Sequence, residues 1–138
     1  MDWNVRIAIT SQKPGSVATS TNVLEARLAK LAGAEDTWVR VRREPRPDPP
    51  PALSSIQDIV LEFTGEHVVP EALKAGVVLL VRAIIGHFRA QPDPSQSAEI
   101  ITRSGLHIVL TSEMTPEQLR RAEEEMRRWV EEHEADEE

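Results

Sequence analysis

Apolar positions along this chain follow two periods, and each period predicts a different element. At the start, Trp3, Val5, Ile7 and Ile9 alternate with Asn4, Arg6, Ala8 and Thr10, the two-residue repeat of a strand with one buried face. Residues 37–43 alternate again, with Val39 and Val41 on one side and Trp38, Arg40 and Arg42 on the other. Residues 98–103 and 106–113, joined by Ser104-Gly105, predict a β-hairpin in which Ile101, Ile108 and Leu110 point inward.

The longer period marks helices. Asn22 and Glu25 have capping-box spacing, and Leu24, Leu28 and Leu31 then line a short helix ending near Gly33. Ser55 and Asp58 offer a second start, and Ile56, Ile59, Val60 and Phe63 recur at helical intervals, so that a strand is possible here but a helix ending near Gly65 fits better. Thr115 with Gln118 forms a third box, Pro116 suits the first helical position, and Leu119, Ala122, Met126, Trp129, Val130 and His133 share one face.

Residues 70–90, PEALKAGVVLLVRAIIGHFRA, stand apart. Glu71, Lys74, Arg82 and Arg89 fall within roughly 80° of one another on a helical projection, so most of the circumference is apolar. Arg82 interrupts the run, whereas a bilayer core needs roughly 20 largely uncharged residues. The pattern predicts a helix covered by protein on two flanks, or one that closes a subunit interface. Gly76 and Gly86 inside it each cost about 1 kcal/mol against alanine, which points to close approach of a neighbouring backbone.

Between the second strand and second helix lies a connector at 45–51, where Pro45, Pro47, Pro49, Pro50 and Pro51 favour an extended spacer outside the sheet. The predicted order is β-α-β-α-α-β-β-α. It makes an α+β domain over 1–134, a small mixed four-stranded sheet packed by helices, followed by an acidic tail at 135–138.

Charge narrows the partners. The net charge is −7, of which −6 belongs to residues 117–138. Such a surface repels phosphate backbones, so neither nucleic acid nor membrane is an expected partner. Cysteine is absent, which removes disulfides and thiol chemistry. The N-terminus has no signal-peptide pattern, which predicts a cytoplasmic protein.

Candidate chemistry is sparse. The histidines at 67, 87, 107 and 133 have no helical metal-site spacing, and no serine sits in a Gly-x-Ser-x-Gly elbow. No metal, cofactor or catalytic set is expected, and the chain reads as a non-enzyme. Arg40, Arg42, Arg43 and Arg46 form the one basic cluster, where alternating charge protects a sheet edge better than it binds nucleic acid in an acidic chain. Arg82 needs a charge partner, expected on the C-terminal helix, on another subunit or in an anionic ligand.

A short βαβ start, the almost membrane-like helix ending in a basic residue, and the hairpin-plus-helix AEIITRSGLHIVLTSEMTPEQLRRAEEEM together resemble the effector-associated constant component family of bacterial conflict systems. This sequence departs from that pattern after the central helix, where Arg89 stands almost alone. The resemblance implies a non-enzymatic adaptor in a defence or signalling assembly, partnered by an effector protease or another effector module, and implies no catalytic residues. On this reading the partner-binding or self-associating surface lies at Val77, Leu80, Val81, Arg82, Ile84 and Phe88. Two alternatives carry different surfaces: an acidic immunity or antitoxin-like inhibitor using Glu124, Glu125, Glu131 and Glu132 against a basic partner, and a small ligand-binding domain centred on Arg82.

Overall fold

The N-terminal alternation forms a strand, and that strand becomes the middle of the sheet. The computed structural model describes residues 3–13, 16–34, 39–47, 57–63, 70–90, 94–102 and 105–136. In chain order the elements are β1 (Trp3–Ser11), α1 (Val17–Ala34), β2 (Val39–Pro45), β3 (Gln57–Phe63), α2 (Pro70–Ala90), β4 (Gln96–Ile101), β5 (His107–Thr111) and α3 (Pro116–Asp136). The class is α+β, with three helices and one open five-stranded sheet ordered β2-β3-β1-β4-β5. Every strand pair is antiparallel.

Two features of the expected sheet are therefore corrected. Residues 57–63 form a strand and not a helix, because Ile59 and Leu61 turn into the core while Asp58 and Glu62 turn away from it. Ile59 and Phe63 satisfy the helical spacing as well as the strand one, and Val60 fits only the helical one, so periodicity alone was ambiguous there. The sheet is also not mixed. β3 inserts between β1 and β2, so the β1–α1–β2 crossover never brings its two strands side by side.

α1 starts five residues ahead of its expected cap, at Val17, and Asn22 lies inside it. Instead of capping, Asn22 and Glu25 both receive the Arg43 guanidinium from β2, Glu25 at 2.6 Å. The buried side of α1 carries Ser20 and Thr21 beside Val17, Leu24 and Leu28, and those two polar positions hid the first turn from a hydrophobic reading. Pro45 is likewise not outside the sheet, since it closes β2 opposite Gln57. Connector residues 48–51 lie outside the described residues, as do 137–138 of the acidic tail, whose first part continues α3 to Asp136.

One face of the sheet is apolar: Val5, Ile7, Ile9, Ile59, Leu61, Ala98, Ile100, Ile108 and Leu110 are all buried under the helices. Ile100 takes the inward place expected of Ile101, which falls on the opposite face with its partners Arg6 and His107. α2 is the shared wall of this core, touching β5, α1 and α3. α3 closes the far side with Ala122, Met126, Trp129 and Val130. Its start is capped as the sequence predicts, with Thr115 N–H donating to Gln118 Oε1 at 2.9 Å and Gln118 N–H donating to Thr115 Oγ1 at 3.2 Å. At the β4–β5 turn Gly105 adopts φ 98°, a left-handed conformation that favours glycine.

Candidate functional site

The residues expected to meet a partner are used by the chain itself. Val77, Leu80, Val81, Ile84 and Phe88 are at most 1% exposed, because the sheet on one flank and α3 on the other supply both neighbours that so apolar a helix requires. Arg82 alone of that set reaches solvent, with its side chain 64% exposed and its Nε donating to Glu123 Oε1 of α3 at 2.9 Å. Its charge partner is thus on the C-terminal helix, and the argument for an anionic ligand at Arg82 loses its basis. Lys74 and Glu131, 3.3 Å apart, make a second tie between the same helices. Gly86 has a different use from the one expected: a β-carbon there would lie 2.9 Å from Arg27 Nη1, so the gap admits a guanidinium from α1, not a backbone.

A polar chain crosses the core at this point. His87 is 1% exposed, and its Nε2 lies 2.9 Å from Ser20 Oγ. Ser20 donates to Gln96 Oε1 at 2.9 Å, and Gln96 Nε2 donates to Ser16 Oγ at 3.0 Å. With the serine proton spent on Gln96, His87 Nε2 is the donor to Ser20 and its lone pair sits on Nδ1, which has no hydrogen-bond partner among the described residues. A serine nucleophile needs the opposite arrangement, an imidazole lone pair facing the hydroxyl and a carboxylate on the far nitrogen. The chain therefore ties α1, α2 and β4 together. Burial pushes the His87 pKa down, and the Arg27 charge pushes it the same way. Sequence reasoning passed over this group because the helix was expected to start at Asn22, after Ser20; the four-residue spacing of Ser16 and Ser20 was the available signal.

The opposite face of the sheet is polar. Arg6 bridges Glu44 and Asp58, Arg42 bridges Glu44 and Glu62, and Arg46 reaches Asp58 at 2.9 Å. Arg46 also donates to the Ile9 carbonyl at 2.7 Å, two strands away. Hydrogen bonds to Glu44 and Glu62 raise the Arg42 pKa further above its ordinary value. The Arg42 hydrogen bond holds Glu44 below the usual carboxylate range, with Arg6 assisting. Of the expected basic cluster, Arg42, Arg43 and Arg46 are all committed to carboxylates, so this edge offers paired charge in place of a phosphate-binding row.

At the other edge the chemistry changes. β5, with sequence HIVLT, carries no Asp, Glu, Lys, Arg or Pro, and among the described residues no strand lies beyond it. Val109 at its centre is 45% exposed, the one exposed large hydrophobic residue among those described. His107 faces Glu99 on the neighbouring strand at 3.3 Å. Beside this edge lies a cleft of about 420 Å³ between the β4–β5 turn and α3, lined by Leu106, His107, Glu125, Arg128, Trp129 and Glu132. α3 presents mixed charge: Glu117, Glu124, Glu131 and Glu132 are exposed alongside Arg120, Arg121, Arg127 and Arg128.

Among the described residues no three His, Asp or Glu side chains gather as a metal site, and His67 and His133 lie outside the residues whose side chains are described. No described helix is long and apolar enough to cross a membrane. Comparison with known proteins finds no matching family model, no matching curated protein and no matching solved structure.

Proposed function

We propose that this chain is a non-enzymatic protein-interaction module, an adaptor of a bacterial conflict or signalling assembly, that receives an extended segment of a partner protein along β5. One observation carries the reading: an uncharged edge strand opens directly onto a cleft walled by a helix. An edge strand offers a row of backbone donors and acceptors, and a groove beside it takes alternate side chains of an added strand. Leu106 and Trp129 supply apolar contact in that cleft, and Glu125, Arg128 and Glu132 supply polar selection. The resemblance to effector-associated constant components supports the cellular context and the absence of a catalytic role, and an effector module is the partner it implies.

The test is selection of random linear peptides against the full chain, followed by titration of a selected peptide into isotopically labelled protein. Amide shifts concentrated at residues 105–111, together with the Trp129 indole N–H, are the expected result. Perturbation centred on the Arg6–Arg42 face, or on α3 alone, would overturn the assignment of the site.

A further inference from the structure

The two edges of the sheet are chemically unlike, and the difference identifies what β5 pairs with. β2 presents Arg40, Arg42, Arg43 and Glu44 and ends in Pro45, so two β2 strands placed antiparallel about Arg42 would set Arg42 against Arg42 at the axis, with Arg40 beside Glu44 on either side, and would lack a donor at the end of the ladder. β5 is self-complementary. Aligned antiparallel about Val109, it sets His107 against Thr111, Ile108 against Leu110 and Val109 against Val109 of the other copy, with no like-charged acid or base opposed. Ile108 and Leu110 are 4% and 0% exposed on the core side, so the apolar layer under one sheet would continue into the next. Val109, which water reaches in the single chain, would be covered by its own counterpart.

Resting on the reading of β5 as a docking edge, we propose that its occupant is a second copy of this chain: two β5 strands join antiparallel across a twofold axis at Val109, making one ten-stranded sheet. Each aliphatic cross-strand pair adds modestly to the shared ladder. A seam of one short strand per copy gives a dimer that dissociates on dilution, leaving the edge available to a competing segment.

Sedimentation velocity of the full chain over a wide concentration range provides the test. The expected result is a monomer–dimer equilibrium. Val109→Lys places two ammonium groups at the axis and raises the dimer dissociation constant by about tenfold or more, while mixing Val109→Lys with Val109→Glu restores a one-to-one dimer. Concentration-dependent protection of β5 amides from hydrogen exchange in the unmodified chain is the second readout, independent of whether either variant folds. A chain that stays monomeric, a dimer untouched by Val109→Lys, or β5 amides whose exchange ignores concentration would each overturn the proposal. If the chain is monomeric yet a selected peptide still shifts residues 105–111, the self-pairing falls and the docking edge stands; if the peptide also fails there, both fall.

Discussion

His87 lies among apolar neighbours with Nε2 committed to Ser20 and the Arg27 guanidinium over the adjacent Gly86. Both burial and that positive neighbour disfavour the imidazolium. The folded pKa is therefore below the unfolded value of about 6.5, and the unfolded chain binds the extra proton in the window between them. Stability is then flat above neutrality and falls as pH drops below about 6.5 toward the depressed folded value, by at most about 1.4 kcal/mol per pH unit for this one group. Urea unfolding between pH 8 and pH 5 checks this. The unmodified chain should lose stability on acidification more steeply than His87→Gln, and the difference isolates His87 from the other histidines. Equal slopes would mean that His87 is not buried as a neutral ring. Arg82 shows the contrasting case: 64% exposed and paired to Glu123, it has no such desolvation to overcome, and a surface pair of that kind contributes less than about 1 kcal/mol.

At the scale of elements, α2 and α3 were legible because one period dominates each. The largely apolar stretch 77–88, interrupted by Arg82, fits a helix covered on most of its circumference, and Thr115, Pro116 and Gln118 write the start of α3 in three residues. Their energetics separate cleanly. Leu80→Ala removes a side chain 1% exposed between sheet and helix and should cost about 3 kcal/mol, whereas Thr115→Ala, at an exposed cap, should cost about 1 kcal/mol. Denaturation of both variants measures the ratio, and a Leu80→Ala cost no greater than that of the cap would place α2 outside the core. β3 was illegible for a definable reason. Its outward positions Asp58, Val60 and Glu62 include one aliphatic residue, which breaks the polar half of the alternation, and Val60 is itself buried on the polar face. Asp58, read as a helix-start residue, is instead the anion held between Arg6 and Arg46, a pairing that only long-range register reveals. The candidate docking edge was also hidden: nothing in HIVLT says that it ends a sheet, because strand order depends on where β3 inserts.

For the whole molecule, the decisive property is that the sheet has two ends and only one is charged. Among the described residues, the helices cover the apolar face of the sheet, ion pairs occupy the other, and the two edges hold the strand backbone groups that no neighbouring strand pairs. If β5 joins to β5 and β2 is closed by its arginines, assembly stops at two copies, because a twofold contact uses up the one competent edge. Removing the charge from β2 should change the topology of assembly as well as its strength. With Arg40→Thr and Arg42→Thr together, β2 loses two of its three arginines, including the Arg42 that would oppose its own copy at the axis, and each chain then carries two edges able to pair. A molecule with two such edges forms open chains of sheets. Light scattering on that double variant should show species beyond the dimer that grow with concentration, and adding Val109→Lys should cap growth at the dimer by closing the β5 edge again. Growth that persists with both edges charged or closed would locate association elsewhere on the molecule, and a double variant that remains dimeric would show that Arg40 and Arg42 are not what keeps the β2 edge from pairing.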